Sequence, residues 1–116
     1  MEFVGILSSG KGTWGQISGL VKKGEWEKIV ILGPKYASDF KLDVPFDFVE
    51  YDDEKPIMSL KEDFAKKLKD KFKGTEVALS IASGSGREHM ALVSALLSIP
   101  VGVRFAALTK DGIVMM

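Results

Sequence analysis

Cysteine is absent from this chain, which excludes disulfides and thiolate metal sites. Histidine occurs once, at His89, so a histidine-rich metal centre is excluded as well, while a carboxylate site stays open. Asparagine is missing, glutamine occurs only as Gln16, and Lys and Glu are plentiful, a bias shared with proteins of thermophiles. Net charge is also lacking: 16 basic residues balance 16 acidic ones, which argues against general binding to a nucleic-acid backbone. No apolar run approaches the ~18 residues of a membrane span. The start, Met1-Glu2-Phe3-Val4, lacks the basic region of a signal peptide. The expectation is a cytoplasmic protein with no membrane partner and no direct contact with nucleic acid.

What the chain does have is an alternating pattern. Its 116 residues suit a single domain, 1–116, with a core that needs no staple. Residues 2–8 read as a buried strand, and 13–23 as a helix with Trp14, Ile17, Leu20 and Val21 on one face, Thr13 as N-cap and Gly24 as C-cap. Lys28 to Leu32 is a continuous β-branched strand ended by Gly33-Pro34. Tyr36 to Lys41 is a short helix candidate, and Phe46 to Tyr51 an edge strand. Ser59-Leu60-Lys61-Glu62 has the form of a capping box opening a helix over 59–73, with Leu60, Phe64, Leu68 and Phe72 on one stripe and Gly74 as the stop. Glu76 to Ile81 is a strand, Ser85-Gly86-Arg87-Glu88 a second capping box, and 86–98 the helix it opens. Val101 to Leu108 and Ile113 to Met116 are strands joined by a Lys110-Asp111-Gly112 hairpin turn.

Alternation of this kind predicts an α/β fold: a three-layer, Rossmann-like, mostly parallel sheet with right-handed crossovers. The expected strand order is 3-2-1-4-5, with an antiparallel C-terminal hairpin strand at the edge. Strands 1 and 4 are then neighbours whose helices leave to opposite faces. The two loops that follow them, Ser8-Ser9-Gly10-Lys11-Gly12-Thr13 and Ser83-Gly84-Ser85-Gly86-Arg87, should meet in one crevice.

The first loop is close to a phosphate-binding Walker loop, but Gly12 stands where a Ser or Thr is needed to reach Mg²⁺. Gly10, Gly12 and Gly15 match the dinucleotide spacing, yet Gly33-Pro34 replaces the acidic residue expected after the second strand. Taken alone, both loops are also simply tight strand-to-helix turns. Their cations favour an anionic ligand, because Lys11 and Arg87 beside helix N-termini oppose the dipoles unless an anion lies between. Ser8, Ser9, Gly10, Lys11, Gly12, Thr13, Gly33, Ser83, Gly84, Ser85, Gly86 and Arg87 are the candidate ligand-binding residues. No catalytic residue, metal or cofactor is assigned: the sole histidine lies within the last helix, and no triad acid accompanies the serines. Asp52-Asp53-Glu54 is a solvated acidic loop, and Trp14 and Trp26 are packing residues.

The helix at 86–98 is apolar on both sides, with Met90, Val93 and Leu97 opposite Leu92, Leu96 and Ile99. The sheet covers only one side, so a homodimer through this helix is expected. With these residues in place, the chain resembles a CRISPR-associated Rossmann-fold (CARF) domain, most closely the sensor domain of archaeal CRISPR-associated transcription regulators. Ser8-Ser9-Gly10-Lys11 matches that family's first loop. Ser83-Gly84-Ser85-Gly86-Arg87 with Met90 matches its second, with Ser85 interrupting the family's Gly-Gly pair and Met90 one residue late. The resemblance implies a homodimeric sensor of a nucleotide second messenger, cyclic oligoadenylate, in antiviral defence. Alternatives are a ring nuclease acting on that ligand, an unrelated nucleotide-binding Rossmann enzyme, or a dimerising scaffold.

Overall fold

The computed structural model describes residues 1–8 and 13–116. Its elements are β1 (Glu2–Ile6), α1 (Trp14–Lys23), β2 (Lys28–Gly33), a 3₁₀ turn (Lys35–Ala37), β3 (Asp47–Glu50), α2 (Ile57–Leu68), β4 (Glu76–Ser80), α3 (Gly86–Ser98), β5 (Gly102–Thr109) and β6 (Gly112–Met115). One sheet runs β3-β2-β1-β4-β5-β6, parallel throughout except for the antiparallel β5–β6 hairpin. This is the α/β, Rossmann-like arrangement that the alternation predicts.

The strands sort their side chains by parity, as a pleated backbone must. Val4, Ile6, Val30, Leu32, Val77 and Leu79 point to one face, where they pack against Leu60, Phe64 and Leu68 of α2 and Leu92 and Leu96 of α3. Phe3, Leu7, Ile29, Ile31 and Ala78 point to the other, against Ile17, Leu20 and Val21 of α1. Both faces are therefore dry, which is why the strands read as continuous apolar runs. A fully buried side chain such as Phe64 contributes about 1.5–3 kcal/mol through its removal from water.

Several local expectations are corrected. The helix α2 begins at Ile57 behind Pro56, with no side-chain cap, so Ser59-Leu60-Lys61-Glu62 lies inside the first turns and is not a capping box. Pro56 is the N-cap, in extended backbone, and its carbonyl accepts the first helical bond from the Leu60 N–H at 2.9 Å, so the helix opens two residues early. The same helix stops at Leu68, not at Gly74, and Phe72 packs on the core from the turn that follows. Thr13 precedes α1 in helical backbone and makes no side-chain capping bond. Gly24, by contrast, is the C-cap of α1 as expected, in extended backbone with its N–H bonded to the Leu20 carbonyl. The segment Tyr36 to Lys41 yields only the 3₁₀ turn. In contrast, α3 spans Gly86–Ser98 behind a complete capping box, and the hairpin turns at Gly112 with φ +110°.

Candidate functional site

The β1 and β4 strands lie side by side, with Gly5 opposite Ser80, so the segments that follow them start from neighbouring points. They meet. The Ser8 N–H donates to the Ser83 hydroxyl at 3.3 Å, and the Ser8 hydroxyl donates to a Glu88 carboxylate oxygen at 2.9 Å. A third strand joins them: the Tyr51 hydroxyl, just past β3, lies on both the Leu7 carbonyl and the other Glu88 oxygen. The crevice expected at the switch point is thus closed at its floor by one polar cluster built from β1, β3 and the first turn of α3.

Glu88 is the hub of that cluster, and it is 4% exposed. Besides Ser8 and Tyr51, its carboxylate accepts from the Ser85 N–H at 3.0 Å and the Ser85 hydroxyl at 2.8 Å. Burial pushes its carboxyl up, but the hydrogen bonds from Tyr51, Ser85 and Ser8 outweigh burial and hold it below the ordinary 4.5. The same contact acts on Tyr51 in the opposite sense. Burial, and next the hydrogen bond to Glu88 and then its charge, raise its hydroxyl well above the usual phenol value. An ionised carboxylate therefore stands at the N-terminus of α3, where the dipole favours negative charge. The anion that this helix end was expected to draw from a ligand is supplied in part by the chain itself.

This finding redistributes the candidate residues. Ser8 and Ser83 are buried, 6% and 1% exposed, and their hydroxyls are engaged with Glu88 and with the Ser8 N–H. They join the two loops. Gly33 is also buried: a Cβ there would stand 3.0 Å from Ala37 and from the Phe48 ring. Its place in the fold is close packing under the 3₁₀ turn. Ser9, Gly10, Lys11 and Gly12 lie outside the described residues. Thr13 precedes α1 at the mouth of the first loop.

The second loop retains an accessible surface. Gly84 takes φ +101°, a backbone that glycine adopts freely, and its turn is held by the His89 Nε2–H, which donates to the Ser83 carbonyl at 2.7 Å. The capping box satisfies the Ser85 and Glu88 N–H groups and leaves those of Gly86 and Arg87 open at an exposed helix start. The Arg87 guanidinium donates to the Asp53 carbonyl at 3.0 Å and, among the described residues, faces no carboxylate partner. Gly86 and Arg87 thus stay available to an anion, whereas both donors of Ser85, a candidate ligand residue, are taken up by Glu88.

The remaining motifs take structural places. Trp14 packs edge-on against Phe40 and donates to the Ser8 carbonyl at 2.9 Å. Trp26 packs on Phe3 and donates to the Leu20 carbonyl. Asp52 turns its carboxylate onto the Glu54 N–H, and no acidic or histidine cluster among the described residues has the form of a metal site. Sequence reasoning missed the Tyr51–Glu88 pair. The signal lay in Glu88 itself, the last residue of the capping box, whose carboxylate is required at that helix start. Nothing in the local pattern joins it to Tyr51.

No family model matches this sequence, and no curated protein matches it significantly.

Proposed function

We propose that this domain binds a nucleotide second messenger at the β1/β4 crevice, as a homodimer, and that the ligand is a cyclic oligoadenylate. The observation that supports the reading is the direct bonding of the two glycine-rich loops across the switch point, Ser8 to Ser83 and Glu88. In open parallel sheets ligands sit outside the carboxyl ends of the strands at this point. The Gly86 and Arg87 N–H groups would receive a phosphate together with the Arg87 guanidinium, which has a backbone carbonyl but no carboxylate as partner among the described residues. The identity of the nucleotide follows from the CARF resemblance.

The homodimer rests on the outer side of α3. Met90 and Leu97 are 63% and 64% exposed, and with Ile57 and Met58 of α2 they border an apolar groove of about 420 Å³. Large apolar side chains grouped in this way mark interaction surfaces. A two-fold axis there would set two crevices beside each other, which suits a ligand with its own two-fold symmetry.

A thermal-shift assay with cyclic tetra- and hexa-adenylate, with ATP and NAD as controls, tests the reading. At a hundredfold excess over Kd a specific ligand stabilises by about 2.7 kcal/mol. The expected result is a shift with one cyclic ring and its loss in Arg87→Glu with the circular dichroism unchanged. No shift with either ring would sink the sensor reading.

A further inference from the structure

Beside the crevice, on the α1 side, lies a second feature that the phosphate-binding residues do not use. It is an apolar cleft of about 440 Å³ between α1, the β4–α3 loop and the end of β5. Leu20, Ile81, Leu108 and Met116 form its walls, and its volume falls within the roughly 300–1,000 Å³ of small-molecule pockets. Ile81 and Ala82 line it and run directly into Ser83 and the Gly84 turn, so the cleft and the crevice share one loop.

The cleft also holds unpaired backbone. The parallel ladder between β4 and β5 ends at Leu79 opposite Phe105, while β5 continues to Thr109. The Phe105 carbonyl accepts from the Met116 N–H at 2.8 Å and so faces β6. Strand alternation turns the peptide groups of Ala106 and Leu108 the other way, toward the side that β4 has vacated. Among the described residues, the Ala106 carbonyl and the Leu108 N–H have no hydrogen-bond partner there. Nearly all such groups in a buried or half-buried strand are paired. Here an acceptor and a donor stand next to each other on one edge between apolar walls. Gln16, an exposed side chain without a partner among the described residues, adds an amide at the rim.

We infer that this cleft is a base-binding site that takes the adenine ring of the nucleotide. The ring faces pack on Leu20, Ile81 and Leu108. The exocyclic amino group donates to the Ala106 carbonyl, and the adjacent ring nitrogen accepts from the Leu108 N–H. An apolar ring with a neighbouring donor and acceptor is the chemistry this strip recognises; a plain hydrocarbon would leave both backbone groups unpaired. The sugar then leaves past Ala82 toward the Gly86 and Arg87 N–H groups. The inference deepens the nucleotide reading and rests on it for the choice of adenine.

The test is amide chemical-shift mapping of the intact 116-residue chain titrated with AMP, adenosine and ribose 5-phosphate. AMP and adenosine are expected to move the Ala106–Leu108 and Ile81 amides, whereas ribose 5-phosphate moves only Gly86 and Arg87. Ala82→Trp, at an exposed position, fills the cleft and should weaken AMP at least tenfold while the ribose 5-phosphate response persists. AMP moving Gly86 and Arg87 but not Ala106–Leu108 overturns the base site and leaves the nucleotide reading standing. Adenosine and AMP moving Leu108 with Gly86 and Arg87 silent supports the base site and removes the phosphate crevice. Silence at both places overturns both.

Discussion

The hydroxyl of Ser8, two residues past β1, donates to the carboxylate of Glu88, 80 positions later in the first turn of α3. This bond, with its Tyr51 and Ser85 neighbours, ties three parts of the sheet's carboxyl end into one buried polar unit. Inside a protein such a unit stabilises when complete and is costly when broken.

Glu88→Ala removes the common acceptor and leaves the Ser8, Ser85 and Tyr51 hydroxyls without it. The expected loss of stability is about 3–5 kcal/mol, from several orphaned donors at about 1–3 kcal/mol each with partial relief by water. Urea unfolding followed by circular dichroism measures it. A loss under 1 kcal/mol would show that the cluster contributes little.

Tyr51→Phe and Ser8→Ala each delete one hydrogen bond to a charged acceptor and should each cost about 1.5–3 kcal/mol. Because both act on Glu88, the double variant should depart from additivity by about 0.5–3 kcal/mol. Additive losses in a double-mutant cycle would mean that the two bonds are energetically separate.

Stability should fall at both ends of the pH range, through different members of the same pair. Glu88 lies below 4.5 in the folded chain because its hydrogen bonds outweigh the upward push of burial. The unfolded chain therefore binds more protons in this acid range. The contribution of Glu88 is full above its unfolded value and is lost as pH falls through the folded one. Tyr51 is raised above 10.0 by burial and then by Glu88. The unfolded chain releases this proton first, so stability drops as pH rises past that value. Urea midpoints against pH check this: Glu88→Gln should flatten the acid limb, and Tyr51→Phe the alkaline one.

Two glycines two residues apart should respond in opposite directions. At Gly84, φ is +101° and a Cβ would stand 2.9 Å from His89 Nε2, so alanine should destabilise by more than about 1 kcal/mol. At Gly86, in the first turn of α3, a Cβ meets nothing within 4 Å, so alanine should stabilise by about 0.4–1 kcal/mol. Thermal unfolding of the two variants decides it, and equal signs would contradict the backbone argument.

Met90→Lys with Leu97→Glu places opposite charges on the open side of α3 without touching the core. Sedimentation equilibrium is expected to show a wild-type dimer and a variant monomer with the same circular dichroism. A monomeric wild type at all concentrations would remove the homodimer.

The alternation of strand and helix patterns, the switch-point neighbours β1 and β4, the α3 capping box and the terminal hairpin were all legible in the sequence. Each rests on signals confined to a few neighbouring residues: period, a Ser three places before a Glu, an Asp-Gly turn. The start of α2 was misread for the same reason. Ser59 and Glu62 have the right spacing, but Pro56 acts first and the helix is already under way. For the candidate site, the meeting of the two loops followed from strand order alone. The use made of their serines did not.

What the sequence by itself determined is the layout, since parity along each strand and apolar stripes along each helix decide which surfaces must be dry. Only the tertiary structure decided that Tyr51 and Ser8 converge on Glu88, and that β5 outruns β4 to leave Ala106 and Leu108 facing an apolar cleft. Local pattern carries no information about which distant hydroxyl reaches a buried carboxylate, or where one strand ends relative to its neighbour. Those depend on register and on the lengths of elements packed together, which exist only once the chain has folded.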